Sequence, residues 1–435
     1  MINRFREAVY QIFPRRADAT LDLIDGLTSE MHTESPVAVS ESPLFRRGFS
    51  SIYDVLNEKV IDEPQLRQVL NKFQPPDAEQ IAGYEVYALD CTADPAPDAP
   101  TLPDLSQSKK GKYAPTTVEH RYAWLVRLVG ERTSWCMPQD MRRVETTTTD
   151  SQVGAAQVET LDKQNQHPKV VVADSLYCNS IFLAVFVWLE SVYARVRMRS
   201  SRVLREEPPE RAPGQKGRPR KHGAKFKLSD PKRAPERMEE SSILGQAVVL
   251  KAWEGLHLYK LPLLMGMVLS VQFLKADGTP RFKRPLFLFW TGPTTVSLVE
   301  LARMYLWRFA IEHMFRFLKQ DMGLTKANSP SLLFRRQWMW CCALAYCQLL
   351  LMRQAVADRR PPWHPRSVRG RMRIMSPRQV RRQALAFLLT LGTPARATQP
   401  AGKGHGRPSG YQPKARKQHP VVKKAKNAKK SSDTG

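Results

Sequence analysis

Four polar side chains, Tyr305, Arg308, Glu312 and Lys319, recur through the segment ARMYLWRFAIEHMFRFLKQDMGL. On an α-helix, at about 100° per residue, they fall within an arc of roughly 60° on one face. Phe309, Met314, Phe315, Phe317 and Leu318 make the rest of the segment apolar, so the polar face is expected to look into a cleft rather than into bulk water. An amphipathic surface helix would carry the same charges. In a cleft, however, a carboxylate needs a counter-charge, which a divalent cation supplies, with Arg308 and Lys319 available for phosphates.

Two further acids stand where a metal site could collect them. Asp90 closes the strand-like YEVYALD, and Asp174 closes KVVVAD. Taken singly, each reads equally as a turn residue or a helix N-cap. Together with Glu312 they form a set of hard oxygen donors that could hold two magnesium ions, an arrangement that stabilises the attacking and leaving oxygens of in-line phosphoryl transfer. Asp94 and Asp98 lie close by in sequence; Asp90 is preferred for the strand before it and for Thr92 two residues later.

Tyr305, two residues, Arg308, three residues, Glu312, six residues, Lys319 resembles the Tyr-Arg-Glu-Lys signature of the IS-four family of insertion-sequence transposases. Asp90 with Thr92 is similar to that family's first Asp-x-Thr motif, and VVADSLY to its second Asp motif, with Ser175 and Leu176 in place of a glycine-containing turn. The resemblance covers residues 80 to 355. It implies a DDE transposase: an RNase H-like core interrupted by inserted strands, with Asp90, Asp174 and Glu312 as catalytic metal ligands for Mg2+, for which Mn2+ can substitute. It also implies DNA backbone contacts from Tyr305, Arg308 and Lys319, and cleavage at transposon ends followed by strand transfer. A nuclease of the same fold without joining activity, and an inactive DNA-binding relative, are the alternatives. Paired transposon ends imply a homodimer on terminal-repeat and target DNA.

Other residues carry two readings each. Trp253, in KAWEGLHLYK, is a candidate to stack on a base flipped out near the transposon end, or else a packed strand tryptophan. KGRPRKHG, Lys216 to Gly223, which holds Arg218, Arg220 and Lys221, and GHGRPSGY, Gly404 to Tyr411, each contain a Gly-Arg-Pro core that resembles a minor-groove AT-hook. Such segments either lie in a narrow A/T-rich groove or act as solvated cationic linkers that touch phosphates without preference. No HExxH spacing and no Gly-x-x-x-x-Gly-Lys loop occurs, so neither zinc nor a nucleotide triphosphate is expected.

Positioning these residues calls for an α/β core. Helical spacing over the first 75 residues and the stop at Pro75-Pro76 define a helical N-terminal domain, 1–78. Short runs rich in Val, Ile and Tyr, followed by a helix expected at Ile181 to Val192, form a first core segment, 79–200. AVVLKAW, LPLLMGMVLSVQFL and RPLFLFWTG read as strands of an insertion, 201–292, with a polar basic loop at 205–237. One helical period from Val296 to Met322 opens the second core segment, 293–358. A basic C-terminal region, 359–435, ends in a tail, 400–435, too poor in apolar residues to fold alone and expected to be disordered.

Composition agrees with a DNA partner. The 68 Lys+Arg against 41 Asp+Glu give a net charge of +27, which favours a polyanion. Six cysteines without CxxC pairing read as reduced thiols. The N-terminus, MINRFREAVYQIFPRR, has no apolar core of signal-peptide length, and Leu261 to Leu274 and Cys341 to Met352 are too short to span a bilayer. The expected compartment is the bacterial cytoplasm, at the nucleoid, with no membrane partner.

Overall fold

Four helices open the chain in the computed structural model: α1 (Ile2–Gln11), α2 (Ala17–Ser29), α3 (Ser50–Asn57) and α4 (Glu63–Lys72). Strands β1 (Glu85–Pro95), β2 (Ser106–Lys109), β3 (Thr116–Leu128) and β4 (Cys136–Val144) follow, then α5 (Asp150–Asp162), β5 (Lys169–Ala173), the single turn α6 (Ser180–Leu183) and β6 (Val192–Met198). Next come β7 (Val203–Glu206), β8 (Lys225–Lys227), β9 (Arg237–Ile243), β10 (Gln246–Leu258), β11 (Leu261–Phe273) and β12 (Leu286–Trp290). Helices α7 (Leu298–Leu306), α8 (Phe309–Gln320) and α9 (Leu332–Met352) precede the short pair β13 (Ser367–Val368) and β14 (Arg371–Met372). Helix α10 (Pro377–Leu391) and β15 (Val422–Lys423) end the set. The structure describes residues 1–58, 61–109, 115–131, 133–211, 217–364, 367–368, 371–399, 406–412 and 414–423.

Among the described residues one mixed sheet runs in the order β15-β2-β3-β1-β5-β6-β12-β11-β10-β7-β8, with β4 also on β3 and β9 also on β10. Strands β1, β5 and β6 are mutually parallel, and β3 runs against β1. The run KVVVA of β5 is buried throughout, as a parallel strand covered on both faces must be. Helices α7, α8 and α9 cover the face that carries Val86, Ala88, Val170, Val172, Leu250 and Leu269. Residues of α5 and α6 pack on the other, with Tyr87, Leu89, Val171 and Val268. This mixed α/β architecture is consistent with an RNase H-like fold.

Helix α9 is apolar nearly all round and is buried accordingly. The N-terminal helices pack on it and share its core. Asp25 of α2 ion-pairs with Arg6 and accepts a hydrogen bond from Gln348 of α9 at 3.0 Å, while Gln337 Nε2 donates to the Val55 carbonyl at 2.8 Å. Helix α10, capped by Ser376 and Gln379, also docks here, with Arg381 Nη2 donating to the Leu27 carbonyl at 2.8 Å.

Three expectations need correction. The helical period from Val296 to Met322 is divided at Trp307 and Arg308, where i to i−3 bonds (Arg308 N to Tyr305 O, 3.1 Å; Ile311 N to Arg308 O, 3.1 Å) tighten the turn. The helix expected at Ile181 to Val192 is one α-turn and a 3-10 turn, and Val192 begins β6. The tail is not wholly irregular, since Val422 and Lys423 pair with Ser106 and Gln107; residues 400–405, 413 and 424–435 lie outside the described residues. No helix among the described residues is long and apolar enough to cross a membrane.

Gly266 on β11 lets β12 approach closely: a Cβ there would meet the Phe289 ring at 2.5 Å and the Trp290 carbonyl oxygen at 2.6 Å. Gly266→Ala is therefore expected to destabilise the fold by about 1–3 kcal/mol through overpacking, read in a denaturant melt. Gly48→Ala, whose Cβ would meet only Ser50 Oγ at 3.9 Å, should melt like the wild type.

Candidate active site

Register brings the first two acids together. Leu89 on β1 pairs with Ala173 on the parallel β5, so Asp90 and Asp174 come next on adjacent chains. Side chains level with each other on neighbouring strands share a face about 5 Å apart. Their face is the one that α7 and α8 cover, because Ala88 and Val172, two residues earlier, lie in that core. Asp90 is not at a strand end, as its sequence context suggests: β1 continues to Pro95, paired with β3 alone beyond Leu89. Asp174 does follow its strand, and its Oδ1 accepts from Leu176 N at 2.8 Å, so a polar turn takes the place of a glycine turn.

Glu312 lies in the first turn of α8 and is joined to Asp90 through one guanidinium. Arg308 Nη1 donates to Asp90 Oδ2 at 2.9 Å, and its Nη2 to Glu312 Oε1 at 2.6 Å. The break between α7 and α8 makes Arg308 the N-cap of α8, on the side of Asp90. Arg308 is 8% exposed, against 44% for Glu312. Its guanidinium also lies 5.8 Å from the Tyr305 ring and 5.7 Å from that of Phe309, and its Nε is buried without a partner.

The electrostatics follow from this crowding. Burial first, then the nearness of Asp174 and Glu312, push the Asp90 carboxyl up to about 6, against the pull of Arg308. Arg308 itself is raised: burial would lower it, but Tyr305, Asp90 and Glu312 outweigh that. Burial also raises the Tyr305 hydroxyl, which Asp174 raises further. Three carboxylates so coupled need a cation, and their hard oxygens suit magnesium. As they stand, the cation between Asp90 and Glu312 is Arg308, and no group of three or more His, Cys, Asp or Glu among the described residues converges to hold an ion.

The other residues singled out in the sequence are placed as follows. Tyr305 is 3% exposed and borders Arg308. Lys319 is half-buried, and its charge favours the ionised form of Asp94. Asp94 is locked in a buried ion pair with Arg335 at 2.7 Å, and Asp98 is exposed. Trp253 offers no free ring for a flipped base. It is 3% exposed, its Nε1 donates to the Arg233 carbonyl at 2.9 Å, and it packs on Phe226 at 5.6 Å. Its packing is that of a strand tryptophan. Arg218, Arg220 and Lys221 are exposed; Lys216 of the same motif lies outside the described residues. So do Gly404 and His405 of the second Gly-Arg-Pro motif, whose Arg407 lies over the Tyr411 ring at 5.8 Å.

Sequence reasoning missed two arginines. Arg195 of β6 is level with Val172 and wholly buried, with both Nη groups unpaired and Nε donating to the Leu301 carbonyl at 3.2 Å. Burial pulls it down to about 9. Arg197, two residues on and exposed, acts on Tyr305. The alternation VYARVRM held the signal, with both cations on one face, but the strand itself was not expected there.

A family model described as DDE superfamily endonuclease matches residues 8–257, more than half of the 435 residues. The match includes Asp90 and Asp174 and ends before Glu312. Among curated proteins there is no match.

Ionising Asp90 burdens the fold. Its folded pKa, about 6, lies above the ordinary 3.8, so folding favours the protonated form: no stability is lost below pH 4, and the loss is complete above pH 6. Asp90→Asn should therefore be more stable than wild type at pH 8, by on the order of 2–3 kcal/mol, and no more stable at pH 4. Thermal melts at the two pH values decide this; equal melting at pH 8 would contradict the crowding of charge described here.

Proposed function

The chain belongs to the DDE superfamily endonuclease family, enzymes that act on DNA, and from that membership and the geometry of the acids we propose that it is a cut-and-paste transposase of the IS-four type. The observation that supports the proposal is that Arg308 joins Asp90 of β1 to Glu312 of a distant helix, while Asp174 follows the strand paired with β1. An RNase H-like core, 79–200 and 293–358, would be interrupted by the inserted strands of 201–292. The helices of 1–78 and the basic region 359–435 would serve DNA ends, target DNA or a second protomer.

Asp90, Asp174 and Glu312 would hold Mg2+, or Mn2+ in its place. When bound, the metal stabilises the oxygens that attack and leave the phosphorus. Arg308 would have to release at least one carboxylate and would then face the substrate with a planar pair of donors suited to a phosphate. Tyr305 packs against the guanidinium and limits where it can turn. Arg197 and Lys319 extend the cationic rim. Attack by water would hydrolyse one phosphodiester and release a 3′-hydroxyl, and attack by that hydroxyl would then exchange one phosphodiester for another as the displaced strand leaves, so no nucleotide triphosphate is required.

The direct test uses supercoiled DNA bearing the element's own ends, with Mg2+ and with Mn2+. Wild type is expected to cut and join, while Asp90→Ala, Asp174→Ala and Glu312→Ala bind DNA without cutting. Nicked products without joined ones would favour a nuclease; binding without cutting in either metal would leave an inactive DNA-binding relative.

Arg308→Met should separate the two roles of that residue. Without the guanidinium the carboxylates repel one another more strongly, and Mn2+ binding followed by electron paramagnetic resonance should tighten by on the order of tenfold, about 1.4 kcal/mol. DNA cleavage by the same variant should fall. Unchanged or weaker Mn2+ binding would show that Arg308 does not stand in the cation's place.

A further inference from the structure

A pocket of about 740 Å³ opens on the inserted strands, lined by Lys232, Arg233, Lys251, Lys283 and Arg284 and by no Asp or Glu. Its size is in the range that encloses small ligands, roughly 300–1,000 Å³. Arg233 is neutralised by Glu206 and Glu236, at 3.4 and 3.1 Å. Arg284 donates to Ser200 Oγ at 2.9 Å, an uncharged partner. Lys232, Lys251 and Lys283 form no ion pair among the described residues. Four positive charges therefore gather in a concavity without a counter-ion, and Ser200, Ser201, Ser229 and Ser270 add hydroxyls to its wall. Cations with no internal partner, together with hydroxyl groups, are the donor set that takes a phosphate.

The sheet fixes where this pocket lies relative to the acids. On β10, Leu250 and Ala252 belong to the core beneath α7 and α8, whereas Trp253 belongs to the core on the opposite face. Lys251, alternating with Leu250 and Ala252, points away from the acids, beside Ser270, its partner on β11. Ser200 and Ser201 follow β6 at the same end of the sheet at which Asp174 follows β5, since β5 and β6 are parallel. The pocket and the acids thus share one end of the sheet and occupy opposite faces.

We propose that this pocket is a second phosphate-binding site, which grips the backbone of the DNA segment that passes from the acids over the end of the sheet. It rests on the reading of the chain as a DNA enzyme. It does not depend on the joining reaction.

The test is DNA binding by full-length protein in EDTA, across a salt series, with random-sequence duplexes of two lengths: about 10 base pairs, on the order of 34 Å, and about 40 base pairs. The variant is Lys232→Gln/Lys251→Gln/Lys283→Gln, which removes the three charges and keeps polar side chains, with a melting curve to establish that it is folded. On the long duplex the dependence of log affinity on log salt is expected to lose a slope of about 2–3, near 0.9 for each phosphate contact removed. On the short duplex the variant should match the wild type. An unchanged slope on the long duplex overturns the proposal, and so does an equal loss on both lengths, which would mean general charge rather than a second site. If wild type never cuts DNA yet the long-duplex slope falls, the pocket stands and the transposase reading fails. Cutting with an unchanged slope removes the pocket alone.

Discussion

One constraint governs the centre of this molecule: Asp90 and Asp174 are level on adjacent parallel chains and face the same way. Two carboxylates about 5 Å apart inside a protein repel strongly, and Glu312 adds a third charge that raises Asp90 further. A positive group must stand among them. Arg308 fills that place, and the break between α7 and α8 makes it the N-cap of α8. The arrangement is unfavourable to the fold, because burial and the neighbouring carboxylates outweigh the pull of Arg308 on Asp90. Stored charge of this kind is the usual mark of a site built for chemistry rather than stability.

The rest of the structure serves to hold that crowding in place. Parallel strands covered on both faces cannot shift register without moving whole rows of buried Val and Leu side chains, so the spacing of the two aspartates is rigid. Helix α9 supplies the floor against which the N-terminal helices and α10 pack, and polar links such as Gln348 to Asp25 fix their position on it. Helix α8 touches β1, β3 and β4, so Glu312 is anchored to the half of the sheet that holds Asp90.

Positive charge is distributed in relation to this centre. Arg197, Arg308 and Lys319 lie on the acid face, while Lys232, Lys251, Lys283 and Arg284 gather on the opposite face. A duplex carries one negative charge per roughly 1.7 Å of its axis, so a sheet with cations on both faces at one end suits a polymer that continues past the cleft better than it suits a compact anion.

The sequence alone determined the types of residue that could do chemistry here and the kind of scaffold they needed. Asp90 is preferred over Asp94 for the apolar run before it and for Thr92 after it, whereas the ion pair of Asp94 with the distant Arg335 has no sign in the sequence. The segments that became β10, β11 and β12 were legible because alternation and β-branched residues are local properties. Tertiary structure alone decided the rest. That Trp253 is packed beneath Phe226, that Arg308 spans two carboxylates from elements more than 200 residues apart, and that the helical period breaks at Trp307 all depend on what lies opposite in space. Periodicity records which face of an element is apolar, but it contains no term for the neighbour that face will meet, and a charge's partner is set by that neighbour.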